Sequence, residues 1–166
     1  MKKSFAWVAA SAFVVFGATQ DASAGGWQQL PRSGHGFKTH APAYRQWGQA
    51  RFVNGLQALG RFYNYAAGRG HCDYGDMSKY GGGYFPPHSS HRNGTDCDMS
   101  MMNHSGAAQP GLTIWSGSYS SYYTSKLVWC MRNMREWSVR TVLFNGRIGG
   151  VSWYTGHDNH LHLGIY

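Results

Sequence analysis

Residues 95–102 read TDCDMSMM, and how this stretch is read decides the fold. Polar and apolar side chains alternate along it, as in a strand with one face on a core. Side chains at i and i+2 point to the same face of a strand. Asp96 and Asp98 therefore share a face, and Cys97 turns to the other. The end of the chain repeats the pattern. In HLHLGI, residues 160–165, His160 and His162 share one face, with Leu161 and Leu163 opposite. Two such strands side by side would aim an acidic pair and a histidine pair into one groove.

The other elements follow from the same periodicities. Between Tyr44 and about Ala66, the residues Phe52, Leu56, Leu59, Phe62 and Tyr63 recur at three- and four-residue steps, which predicts a helix. Gly55 and Gly60 weaken that helix, and GRG at 68–70 ends it. A short strand is expected near 71–75, followed by a glycine-rich loop and two prolines. Tyr123, Leu127, Cys130, Met131 and Met134 line one face of a second helix over 122–137, capped by Ser120 or Ser121. VRTVLFN (139–145), GVSWY (150–154) and HLHLGI are strand candidates, with a turn at Asn145-Gly146. This order predicts an α+β fold: a mainly antiparallel sheet, two main helices packed on one side, and the functional site in a groove on the sheet. Residues 25–43, rich in Gly, Pro and His without a period, read as an irregular arm before a single domain over 44–166.

Residues 1–24 have the layout of a secretory signal. Lys2 and Lys3 precede an apolar run from about Phe5 to Ala18, and Ala22-Ser23-Ala24 offers a cleavage site. The apolar run is shorter than the ~20 residues of a membrane span, and no later stretch of the mature chain is suited to one. Export to the periplasm, or secretion, is the expectation. Removing Lys2, Lys3 and Asp21 from the 15 basic and 7 acidic residues leaves a net charge of +7. That charge favours anionic partners. The basic residues are scattered, which together with export argues against nucleic acid. Cys72, Cys97 and Cys130 in an exported chain suggest one disulfide and one free thiol, the pairing left open.

A second polar cluster, PPHSSHRNGTDCDMS, lies in mid-chain. There His88 and His91 precede Asp96 and Asp98, with Gly94 allowing a bend between His91 and its strand. Catalytic zinc is usually held by three protein ligands, with the fourth position left for water. His91, Asp98 and one tail histidine would supply such a set. Asp96 would orient a ligand histidine or make a plain structural hydrogen bond. Arg92 would meet a substrate carboxylate or stay solvated. His35, His40, His71 and His104 have no partner pattern and read as surface residues. The aromatic residues of GGVSWYTG would line a groove or join the core.

At these motifs the chain resembles the penicillin-insensitive murein endopeptidases, within the wider group of lysostaphin and D-Ala-D-Ala peptidases. His88 to Asp98 match HxSHxxGxDxD, and His157-Asp158-Asn159-His160-Leu161-His162 match HxxHxH. YGDMSKYGGG at 74–83 and Trp47-Gly48 are similar as well, so the resemblance spans most of residues 44–166. It implies one zinc ion per chain bound by His91, Asp98 and His162. It further implies His160 as general base, with His157 and His88 as supporting groups near the metal. His157, three residues before His160, would stabilise an oxyanion.

The resemblance implies a zinc peptidase acting on peptidoglycan stem peptides. The expected bond joins D-alanine to the diamino acid of a neighbouring stem. A D,D-carboxypeptidase or an L,D-endopeptidase would share the same metal centre, because the choice of bond lies in the groove walls. A wall-binding module without catalysis is the alternative of another class.

Overall fold

The computed structural model describes residues 26–166, so the expected signal segment lies outside the described residues. In chain order the elements are β1 (Trp27–Gln29), β2 (Ser33–Gly34), β3 (Phe37–Thr39), a 3₁₀ turn at Ala43–Arg45, and β4 (Trp47–Gln49). Then follow α1 (Ala50–Ala67), β5 (Cys72–Tyr74), β6 (Asp96–Ser100), α2 (Ser121–Arg132), β7 (Val139–Leu143) and β8 (His160–Ile165). Six strands form one sheet in the order β2-β3-β5-β6-β8-β7, while β1 and β4 pair separately. Only β3 and β5 run parallel; the other ladders are antiparallel. The expected α+β architecture is the one observed.

The core forms where the apolar faces meet. Phe52, Val53, Leu56, Leu59 and Tyr63 of α1 are buried, as are Leu127, Val128 and Met131 of α2. Cys97, Met99, Leu161 and Leu163 join them from the central strands. The two glycines that weaken α1 in sequence have packing reasons. A Cβ on Gly55 would come within 2.5 Å of the Trp137 ring, and one on Gly60 within 2.9 Å of Phe37. Each glycine gives up some helix propensity so that an aromatic residue can lie against the backbone. Ser120 caps α2, its hydroxyl accepting a bond from the Tyr123 amide.

Several expectations are corrected. Residues 27–39 are not an irregular arm: they hold three short strands, and β3 extends the main sheet beside β5. α1 begins at Ala50 rather than Tyr44, because Trp47–Gln49 pair residue for residue with β1. α2 ends at Arg132, which frees Trp137 to turn back and donate its indole N–H to the Met131 carbonyl at 2.9 Å. GVSWY is not a strand and makes a single bridge, Leu143 to Ser152. Trp153 and Tyr154 are exposed rather than in the core.

No disulfide forms: Cys72, Cys97 and Cys130 are all free and buried. The register places Tyr74 opposite Met99. Cys72 therefore faces the level of Met101, four residues along β6 from Cys97, beyond the ~7 Å Cα reach of a disulfide. Cys130 lies across the core on α2. Burial raises all three thiol pKa values, that of Cys130 to about 12.

Candidate metal centre and active-site groove

The pairing of β6 with β8 builds the site. Asp98 is the direct partner of His162, Ser100 of His160, and Asp96 of Gly164. Alternation puts the carboxylates and imidazoles on one face and sends Cys97, Leu161 and Leu163 into the core. His91 arrives from the preceding loop. Gly94 has φ +67°, and a Cβ there would meet the Trp27 ring at 2.6 Å, so the bend is open only to glycine.

Three ligand-type atoms converge on the groove. His91 Nε2 is 3.1 Å from His162 Nδ1 and 3.2 Å from Asp98 Oδ1. His162 Nδ1 is 3.0 Å from the same oxygen. The outer nitrogens fix the tautomers. His91 Nδ1 lies 2.7 Å from the Met77 carbonyl, which can only accept, so the proton sits on Nδ1. His162 Nε2 lies 3.1 Å from Asp96 Oδ1, and Arg140 pairs with that same oxygen at 2.5 Å. Each outer N–H is thus donated away from the groove, as is usual for histidines that bind metal. In neutral rings, both inner nitrogens then present lone pairs to each other and to a carboxylate oxygen. These buried acceptors need a positive charge among them.

The electrostatics agree. Burial opposes charge on Asp98, but the adjoining His162 and His91 rings, when protonated on their inner nitrogens, outweigh it and hold the carboxyl far below the usual range. Burial likewise opposes charge on His162, yet the flanking Asp96 and Asp98 carry its pKa up to about 9. Two imidazoles and one carboxylate, open on the groove side, fit a divalent metal ion. His88, His91 and Asp98 offer a second set of ligand atoms, all within 4.8 Å of one another. The two sets share His91 and Asp98. We take His162 as the tighter third member, because its atom lies 3.0 and 3.1 Å from the other two. His88 is partly committed elsewhere: its Nε2 is 2.8 Å from Asp76 Oδ2, and its Nδ1 is 3.5 Å from Asp98 Oδ2.

A supporting layer that the sequence did not disclose holds this centre. Arg45 grips Asp76 through two bonds of 2.6 Å. Burial opposes ionisation of Asp76, but bonds from His88 and Arg45 prevail and hold its pKa down at about 2. Asp76 lies within the YGDMSKYGGG similarity, which was the available signal. Gly164 is a second such residue. A Cβ there would come within 2.6 Å of Arg140 Nη2 and 2.9 Å of Asp96 Oδ1. No periodicity could have identified it.

His160 stands at the rim of the centre, its Nε2 3.7 Å from Asp98 Oδ1. Asn159 Oδ1 lies 2.6 Å from His160 Nδ1, which fixes the proton on Nδ1 and leaves Nε2 as the basic atom. Burial lowers the His160 pKa, so its ring is neutral near pH 7. His157 packs 4.7 Å from the His160 ring centroid and 5.9 Å from that of His162. Tyr154 packs on His157 from outside. Arg92 is exposed and lines the same groove of about 720 Å³. Asp96 takes the orienting role at the His162 ring. The structure thus brings His88, His91, Asp96, Asp98, His157, His160 and His162 together, with Arg92 at the groove wall.

A buried His–His–Asp cluster on a mainly antiparallel sheet, with His160 beside it, suits a metallopeptidase. The chain belongs to the penicillin-insensitive murein endopeptidase family, whose model matches residues 15–127, more than two thirds of the sequence. Comparison with curated proteins gives no match. Its function is therefore that of a murein endopeptidase, with peptidoglycan as substrate. The matched span contains His88, His91, Asp96 and Asp98. The tail histidines lie beyond it and reach the centre through the pairing of β8 with β6. No helix among the described residues is long and apolar enough to cross a membrane.

Proposed function

We propose that this chain is a zinc-dependent D,D-endopeptidase of the bacterial envelope, cleaving the bond between D-alanine and the diamino acid of a neighbouring stem peptide. The observation that carries the reading is the convergence of His91 Nε2, His162 Nδ1 and Asp98 Oδ1 within 3.2 Å of one another, with both outer N–H groups donated away. His91, Asp98 and His162 would hold one zinc ion. Bound there, zinc supplies Lewis acidity, which lowers the pKa of water to ~7 and polarises a carbonyl.

The chain's own residues do the rest. His160 Nε2 accepts the proton of the attacking water and returns it to the leaving amine. Its neutral state follows from burial, and its orientation from Asn159. His157 would donate to the developing oxyanion. Asp96 and the Met77 carbonyl hold the ligand rings in register. Arg92 would bind a substrate carboxylate along the groove. Export through residues 1–24 fits this substrate. A wall-binding module would need no basic imidazole beside the metal ligands, and His160 is present and oriented.

The test is to incubate the mature protein with isolated sacculi, with and without a chelator, and to weigh the released muropeptides. Chelator-sensitive conversion of cross-linked dimers to monomers is expected. Intact dimers with trimmed stem ends would identify a carboxypeptidase instead. No change, from protein shown to carry zinc, would favour the binding module.

A further inference from the structure

The groove described above has a counterpart on the other side of the metal centre. A cleft of about 380 Å³ is bounded by Asp98 and His160 on one wall, and by His40, Arg45 and Asp76 on the other. Asp98 and His160 line both recesses. A substrate cut at this centre would have room for one arm in each recess.

His40 dominates the far wall of the smaller cleft. Its Nδ1 is 2.5 Å from Asp73 Oδ1. The Asp73 side chain is fully buried, and Lys38 Nζ lies 3.5 Å from its other oxygen. The opposite edge of the His40 ring lies over Gly75: a Cβ there would meet Cε1 at 3.2 Å and Nε2 at 3.3 Å. The Gly75 amide in turn donates to the Asp98 carbonyl at 2.7 Å. One nitrogen of His40 is thus locked to a buried carboxylate. The other lies over Gly75 at the edge of the cleft and makes no hydrogen bond to the described residues. This edge sits on Gly75, whose amide is bonded to the strand that carries Asp98.

The other two charged groups of that wall, Arg45 and Asp76, are occupied. Arg45 is engaged with Asp76 and lies over the Phe85 ring at 4.2 Å. His40 is the cationic donor left free. The hydrogen bond to the buried Asp73 raises its pKa, which favours the doubly protonated ring.

We propose that His40, held by Asp73, forms a carboxylate-binding subsite in this cleft, and that it selects cross-linked peptides bearing a free carboxylate on the arm that lies there. The proposal rests on the endopeptidase reading. It assigns to the smaller cleft the kind of recognition that Arg92 would provide in the larger one. The chemistry is a charge-assisted hydrogen bond from Nε2–H to a carboxylate oxygen. Asp73 is a positioning residue that orients the ring.

The test uses metal-loaded enzyme and a set of cross-linked muropeptide dimers amidated at one carboxylate at a time. Wild type is expected to prefer the free acid over the amide by about tenfold at one of these positions, seen chiefly in KM. In His40→Asn the shorter side chain keeps an amide N–H for Asp73 and loses the donor facing the cleft. It should reduce that preference to about one at that position alone. A preference that His40→Asn leaves intact at every position would overturn the subsite. Failure of wild type to cleave any dimer would instead overturn the endopeptidase reading, and the subsite with it. Equal zinc content and a retained cooperative melting transition separate loss of recognition from loss of fold. Asp73→Asn, which keeps His40 but loosens its hold, should give an intermediate preference.

Discussion

Asp98 and His162 are direct cross-strand partners, and their side chains meet at 3.0 Å between Oδ1 and Nδ1. The opposite edge of the same ring meets Asp96 at 3.1 Å. Replacing His162 with Ala removes a proposed ligand and leaves Asp96 and Asp98 without the imidazole between them. Zinc content measured by mass spectrometry should fall from about one per chain to near zero. Asp96→Asn keeps the ligand and weakens only its orientation, so metal affinity should drop by about 10–100-fold. Zinc retained at the wild-type level in His162→Ala would exclude it as a ligand.

Gly164→Ala tests the layer behind the centre. The added methyl would press on both Arg140 Nη2 and Asp96 Oδ1, the pair that anchors the His162 ring. Metal affinity should fall while far-ultraviolet circular dichroism stays native. A variant that binds zinc as tightly as wild type would show that the Arg140–Asp96 contact is dispensable.

His160→Ala separates binding from chemistry. Zinc should stay bound, since His160 Nε2 stands 3.7 Å from Asp98 and outside the three converging atoms. Turnover should fall by about 10²–10⁴-fold, the usual contribution of a general base. Cleavage at the wild-type rate would place the base elsewhere.

The His40–Asp73 pair predicts a pH-dependent stability. The hydrogen bond to Asp73 raises the His40 pKa above 6.5. A group whose pKa is higher when folded stabilises the fold fully below its unfolded value, and loses that effect as pH rises through the folded value. The gap in Tm between wild type and His40→Asn should therefore be widest below pH 6.5 and close above it. A gap constant across this range would contradict the linkage.

The three thiols give an independent check on the core. All are buried and free, and burial suppresses thiolate formation. A thiol-reactive dye should label none of them in the native protein and all three after denaturation without reductant. Fewer than three labelled sites would reveal a disulfide that the fold does not contain.

Much of the site was legible because strands encode direction locally. Alternation in TDCDMSMM and HLHLGI settles which side chains share a face, and the motif spacing nominates His91, Asp98 and the tail histidines. The α+β order and both helices follow from apolar periodicity. Segments such as 27–39 and 47–49 were not legible, because their strands are two or three residues long and form only when a distant partner satisfies their backbone groups. The absence of a disulfide could not be read either, since it depends on a register four residues out of step.

The amino-acid order alone thus determined the chemical identity of the centre: which residue types are present, and which faces they occupy. Only the tertiary structure decided how they are arranged. It locked the outer nitrogens of His91 and His162 to Met77 and Asp96, so that the inner lone pairs converge. It brought Asp76 and Arg45 behind His88, and it set the exposed His40 at the wall of a cleft. The physical reason is that a tautomer, a pKa and a recess are properties of neighbours, and most of these neighbours are far apart in the chain.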